Sequence, residues 1–526
     1  MGAGIGGCLL AYRLARHGER AGEFRSERVA LFERTHRVGG RLWSVPMGDG
    51  LHADLGAMRL HRGLRQVLGV IQEVGLTSDL VPFDFGRPEN LVHVRGVSLR
   101  QRHLVDATRL PYDLADDERG LSPDDLVLRA ANTLLPGFTA LRRSHHEALE
   151  RGDAHRAARA AAEFRRRSRQ VALGGVPLRQ STYAEALRAV LGAEAVALLH
   201  DTGGYDIGSS GENAAEQLGI LFRTPPHAEY VTLRHGMQSL PRALCDRFTA
   251  AGGSLRFGHR LLRVDRVPPD DPGHAPPDGA APSGPVRYRL TFALEDAEGR
   301  ATGEHTHVHA RTVVLALPQD PLLRLDQDGL PFTPRLRADL AAVEAVPAYK
   351  LFLLYRTAWW QRLGMTRGRS TTDLPLRQLW YGGTCPPPGP ARADGPALLL
   401  AAYPSGPATR TWDALREPGA RAAHAHRLLA RMHGLPHLEP PLSALAQDWN
   451  SAPHDGAWHV WRPGHDPDTV APRVRTPLPG EAVHLVSDCW TPDPGSIEGA
   501  VACAEAVLAE HRGYERPPSP PARTAR

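Results

Sequence analysis

The N-terminal segment constrains this chain more tightly than any other stretch. It reads Gly2-Ala3-Gly4-Ile5-Gly6-Gly7, then the amphipathic run Cys8 to Ala15, then the apolar Val29-Ala30-Leu31-Phe32 ending in Glu33. Turn, helix, strand and acidic residue in that order form the fingerprint of a dinucleotide-binding unit. Gly2, Gly4 and Gly7 let the backbone approach a pyrophosphate, whose charge the helix N-terminus complements. Glu33 is expected to take the ribose hydroxyls. NAD and FAD both use this device. The first strand of such a unit precedes its glycine turn, yet Met1 stands there. The sequence therefore looks truncated at its N-terminus. A missing central strand is expected to expose core and to weaken folding or cofactor retention.

With 526 residues the chain exceeds one compact core, so two interleaved domains are expected. Residues 120–220 are rich in Ala, Leu, Arg and Glu at helical spacing and predict a helical region. Strand-like patterning returns over 228–265, in Arg287 to Phe292, in the buried run Val313 to Leu317, and in Tyr349 to Tyr355 and Ala397 to Ala402. The Pro/Gly/Asp-rich stretch 267–285 predicts a mobile loop, and the tail from Gly513 a disordered end.

No apolar run reaches the roughly 20 residues a membrane span needs. No signal peptide opens the chain, so a soluble, cytoplasmic protein without a membrane partner is expected. The five cysteines, Cys8, Cys245, Cys385, Cys489 and Cys503, are scattered, which fits free thiols better than disulfides or zinc. His145-His146 reads as a solvated surface pair, and no metal site is expected. The net charge of +5 has one dense stretch, Arg151 to Arg169. Alanines pattern its other side and no aromatics interleave, so it reads as a solvated helix face and not a nucleic-acid contact.

Of 63 Lys plus Arg, 62 are Arg, and Lys350 alone is Lys. A lone exception in a chain that disfavours lysine is a functional candidate, because lysine loses its proton when desolvated and arginine does not.

Longer motifs decide between cofactors. Glu33-Arg34-Thr35-His36-Arg37-Val38-Gly39-Gly40-Arg41 resembles the second FAD-binding segment of the flavin amine oxidase superfamily. The resemblance implies that Arg34 belongs to this segment, that Gly40 brings backbone to the phosphates and that Arg41 contacts the pyrophosphate. Asp54-Leu55-Gly56-Ala57-Met58-Arg59 resembles the segment beneath the flavin in L-amino acid oxidases and tryptophan 2-monooxygenases. It implies cofactor contact by Gly56, Ala57, Met58 and Arg59, with Arg59 also holding the substrate carboxylate. A planar guanidinium suits that task through two parallel charge-assisted hydrogen bonds.

Tyr349-Lys350-Leu351-Phe352-Leu353 is similar to the strand whose lysine holds a water against flavin N5, which makes Lys350 the catalytic candidate. Thr371-Thr372-Asp373-Leu374-Pro375-Leu376-Arg377-Gln378-Leu379-Trp380-Tyr381 resembles a stretch of L-amino acid oxidases and implies that Tyr381 is a second carboxylate ligand. Trp449 and Gly456-Ala457-Trp458 resemble the active-site wall, with Trp458 facing substrate. The cysteine that links FAD covalently in monoamine oxidases is absent from this segment, so noncovalent FAD is implied.

In the closing strand, Ser487-Asp488 stands where the family has Gly-Glu, leaving Asp488 to accept a ribityl hydroxyl at shorter reach. Gly495-Ser496-Ile497-Glu498-Gly499-Ala500 matches the last flavin-binding helix start, with Ser496 and Ile497 at the cofactor. Ser496 replaces an aromatic residue and opens the pocket towards substrate. Leu261 and Val264 fit the strand that meets the adenine.

The implied fold is α/β: a Rossmann-like FAD-binding domain (1–60, 228–320, 441–512), a mixed-sheet substrate domain (61–104, 321–440), a helical subdomain (105–227) and a tail (513–526). The implied reaction is oxidation of an L-amino acid to the imino acid and then the 2-oxo acid. Oxygen is the second substrate; ammonia and hydrogen peroxide are released. A 2-monooxygenase giving an amide and carbon dioxide, and a catalytically impaired flavin-binding homologue, remain the alternatives. Homodimerisation is left open.

Overall fold

The computed structural model describes residues 1–21, 29–205, 211–267, 287–326, 328–330, 332–384, 395–451 and 453–510. The expected loop after Val267, the tail from Gly513 and Cys385 lie outside the described residues.

The glycine turn opens the helix Ile5–Ala21, as expected. Its buried face of Leu9, Leu10, Ala11 and Ala15 packs against the helices Ser239–Ala250 and Ile497–Glu510. Arg13 is buried on that face, and its guanidinium bonds Glu505 at 3.0 Å and Glu73 at 2.5 Å. Around the turn stand two parallel strand pairs, Ala30–Phe32 with Ser254–Arg256 and Val313–Leu315 with Val483–Leu485. Met1 and Gly2 join them. The Gly2 amide donates to Phe32 O, the Met1 amino group to Val314 O, and the Ala316 amide to Met1 O, each at 2.7 Å. An antiparallel meander, His259–Arg266, Tyr288–Glu295 and Ala301–Ala310, extends this half of the molecule.

The second half is a seven-stranded mixed sheet. Its order is Ser443–Asp448, Tyr349–Tyr355, Ala397–Ala402, Gln378–Tyr381, Gly368–Thr372, Leu91–Val94 and Val97–Arg100. The lysine-bearing strand Tyr349–Tyr355 lies second, antiparallel to both neighbours and buried on both faces. The sequence-drawn boundary near residue 440 shifts, because Ser443–Asp448 forms the edge of this sheet.

The helical region runs from Pro123–Leu134 to Ala214–Arg223. Capping boxes start two of its helices, Ser122 with Asp125 and Thr182 with Glu185. Helix Ala154–Ser168 buries Ala157, Ala160 and Phe164 and turns its arginines outward, as its pattern predicts. The expectation for His145-His146 is corrected. His146 is buried, its Nε2 faces Phe222 O at 2.9 Å, and burial pushes its pKa down to about 4. The helix turns both rings inward, where neutral imidazole needs only one backbone partner. Cys8, Cys245, Cys489 and Cys503 are buried free thiols.

Gly7 is fixed by close approach. A Cβ there would stand 2.0 Å from Gly2 O and 3.2 Å from the Ala316 side chain. Gly7→Ala is therefore expected to force the turn off the helix, costing about 1–3 kcal/mol as overpacking does. A lowered Tm with reduced flavin content on purification checks it.

Candidate active site

One cavity of about 690 Å³ runs between the two halves. At one end stand the glycine turn, Glu33 and Arg34, and at the other Arg59, Lys350 and Trp458. Every residue assigned to cofactor or substrate from sequence lines it except Tyr381 and Val264.

The turn end is built for an anionic nucleotide. Helix Ile5–Ala21 begins at the cavity wall, and the first backbone N–H groups of a helix have no partner within it. Gly4 lines the cavity, and a Cβ there would meet nothing within 4 Å, so the missing side chain leaves open space for a ligand. Glu33 is held in place: one carboxylate oxygen accepts from the Ala3 amide at 2.7 Å, the other from the Thr35 amide and hydroxyl. Arg34 is braced by Glu295 at 2.7 Å. Arg41 and Asp488, both expected at the cofactor, form an ion pair with each other. Leu261 lies at the irregularity in strand His259–Arg266, so its neighbours Arg260 and Leu262 also reach the cavity. Val264 turns instead into the apolar core. Ser496 caps the last helix, donating to Asp493 O and accepting from the Gly499 amide.

The segment Asp54–Arg59 links the two ends. It leaves strand Leu51–Asp54 and runs without regular structure to Leu60. Buried irregular backbone needs partners. Lys350 Nζ donates to Asp54 O at 3.0 Å and Gly56 O at 2.5 Å, and lies 3.5 Å from Met58 Sδ. The Trp449 indole takes Leu55 O at 2.8 Å. Gly56 is required by packing, since a Cβ would stand 1.7 Å from Arg41 O. Lys350 Nζ also sits 4.6 Å from the centre of the Tyr403 ring. Burial pushes its pKa down to about 7, against the pull of Asp54, whose own carboxyl is raised by burial.

Arg59 closes the inner end. Its guanidinium lies 4.9 Å from the Phe85 ring, 5.2 Å from Trp380 and 5.8 Å from Tyr230. Among the described residues it donates one hydrogen bond, to the Tyr205 phenol at 2.9 Å. Among the described residues it has no carboxylate partner. Tyr205 meets Tyr403 and Trp458 edge-on, at 5.7 and 6.0 Å between ring centres.

The expectation for Tyr381 is corrected. Its phenol is buried on the far face of the sheet, bonded to Ser370 at 2.9 Å and His433 at 2.8 Å. Successive strand residues face opposite sides, so Trp380, one position earlier, faces the Arg59 side. The phenols at the cavity are Tyr403, Tyr205 and Tyr230. Tyr403 directly follows the apolar strand Ala397–Ala402 beside the lysine strand, a signal the sequence did carry. Tyr205 follows a helix whose sequence offers no motif.

The model for flavin containing amine oxidoreductases matches residues 5–508. The chain belongs to that family. Its cofactor is FAD, and the chain is an FAD-dependent amine oxidoreductase of α/β fold. The open space at Gly4, the fixed Glu33 and the helix start fit that group, which Gly40, Arg41, Asp488, Gly56 and Ile497 would also help hold. Among relatives of this flavoprotein is Aplysianin-A of Aplysia kurodai, 26% identical over 99% of this chain and 91% of that protein. Achacin of Lissachatina fulica is 25% identical over 93% and 89%, and the L-amino-acid oxidase of Mus musculus 25% over 92% and 67%. Among solved structures, cyclohexylamine oxidase from Brevibacterium oxydans IH-35A superposes with a TM-score of 0.62 at 18% identity, over 97% of this chain and 98% of that one. Wild-type putrescine oxidase gives 0.61 at 17%, over 97% of both chains.

The lowered pKa of Lys350 has a measurable sign. Between about 7 and 10.5 the unfolded chain holds a proton that the native lysine has released, so stability rises with pH across that window. The slope from one such group is at most about 1.4 kcal/mol per pH unit. Lys350→Met is expected to remove this contribution from denaturant-unfolding free energies measured from pH 7 to 10.

Proposed function

We propose that this flavoprotein oxidises L-amino acids. The observation that carries the reading is Arg59: a half-buried guanidinium at the inner end of the cavity, stacked on aromatic rings, with no carboxylate partner among the described residues. A cation partly withdrawn from water without a counter-ion is costly. A substrate carboxylate supplies the missing charge and accepts paired N–H bonds. The mouse relative named an L-amino-acid oxidase supports the same substrate class.

FAD, when bound, supplies the two-electron chemistry that removes the α-hydrogen. The chain's residues do the positioning. Arg59 fixes the carboxylate, and the Tyr403 phenol stands beside it. Tyr205, Tyr403 and Trp458 wall the space. Lys350 Nζ, with its pKa near neutrality, holds or releases a proton at the cavity wall while anchoring the segment that carries Arg59. The imino acid hydrolyses to a 2-oxo acid and ammonia, and oxygen is reduced to hydrogen peroxide.

Oxygen uptake across the twenty amino acids, with product identification, tests this. Peroxide, ammonia and a 2-oxo acid are expected; an amide with carbon dioxide, or no uptake with any amino acid, overturns it. Arg59→Gln should raise KM about 100-fold, since truncating one partner of a buried charge pair costs ~3 kcal/mol.

A further inference from the structure

The C-terminal end of helix Ala193–Gly203 is gripped by the mixed sheet. Arg369 donates to Gly203 O at 3.0 Å, Arg377 to His200 O at 2.6 Å, and the Gln378 amide to Gly204 O at 3.3 Å. Guanidinium groups suit that place, because the last carbonyls of a helix carry partial negative charge. Gly204 turns the chain at φ +79°, and a Cβ there would press on Gln378 and Arg369 at 3.3 and 3.4 Å. The next residue is Tyr205. Its ring is wedged edge-on against Tyr403 and Trp458, and its phenol accepts a hydrogen bond from Arg59. Arg59 is thus stacked from one side and hydrogen-bonded from another, by a residue that carries no full charge.

We infer that Tyr205 is a positioning residue for the carboxylate clamp, holding the Arg59 guanidinium in place without neutralising it and so favouring substrates with a carboxylate over simple amines. The inference rests on the carboxylate reading above. A carboxylic side chain at this position would pair with Arg59 and compete with substrate; a phenol orients the group and leaves its charge available.

The test uses the FAD-loaded protein and benzoate, a simple carboxylate, titrated against the visible flavin spectrum. Tyr205→Phe should weaken benzoate about tenfold, or ~1.4 kcal/mol, and raise KM for the amino acid similarly while kcat stays within about twofold, as loss of uniform binding requires. Tyr205→Gln keeps an acceptor oxygen and should stay within about threefold of wild type; it decides the matter alone if the phenylalanine variant fails to load FAD. In an Arg59→Gln background Tyr205→Phe should add nothing, whereas a merely structural role gives additive losses. Unchanged benzoate affinity in Tyr205→Phe, equal losses in both variants, or additivity overturns the assignment. A wild-type protein that binds no benzoate and oxidises no amino acid sinks the carboxylate reading itself, and Tyr205 with it.

Discussion

The site depends on one buried ammonium group. The segment Leu55–Arg59 passes along the cavity outside strand and helix, and Lys350 holds its start by the carbonyls of Asp54 and Gly56. Its three donors diverge from a single nitrogen, so they reach two carbonyls on one short loop and a thioether beyond them. A planar guanidinium fork would not converge on those atoms from that strand, and it would bring a charge that burial cannot remove. This gives a physical reason for lysine at one position in a chain that otherwise uses arginine for its basic residues. It also links the lysine to Arg59, since the loop that Lys350 anchors ends in the guanidinium at the inner wall.

Arginine does different work elsewhere. Arg13 ties three helices through two carboxylates, Arg34 braces the edge of the nucleotide end, and Arg41 meets Asp488 across the cavity wall. Arg369 and Arg377 hold helix carbonyls. Each of these is a fixed charge with several directed donors, and in each the fork geometry matches its partners. Arg59 differs because it lines the cavity and, among the described residues, its charge meets neither a carboxylate nor a backbone carbonyl.

The nucleotide end was legible in sequence because local spacing encodes it. A turn, a helix start and an acid within one supersecondary unit leave little freedom, and Gly2, Gly4, Gly7, Glu33 and Arg41 all line the cavity. The substrate end was legible only where a residue sits on a recognisable segment, as with Arg59, Lys350 and Trp458. Tyr381 shows why the rest was not. A strand exposes alternate residues to opposite sides, so a motif placed one position out of phase puts a phenol on the wrong face. Tyr205 was beyond reach for another reason: its place is set by side chains of the sheet that grip a helix end from more than 160 residues away in sequence. The burial of His146 is of the same kind, fixed by a carbonyl on another helix.

The cavity walls come from both ends of the chain, with Gly2 and Gly4 on one side and Asp488, Ser496 and Ile497 on another. Contacts so distant in sequence form late, because closing a long loop costs entropy before any contact repays it. During synthesis the glycine turn meets Phe32 and Glu33 early but waits through nearly the whole chain for Asp488, Ser496 and Ile497. A ligand held between such walls binds the folded state and not the unfolded one, and so acts as a clasp on the fold. Cofactor supply in this protein is therefore also a determinant of how long each molecule survives.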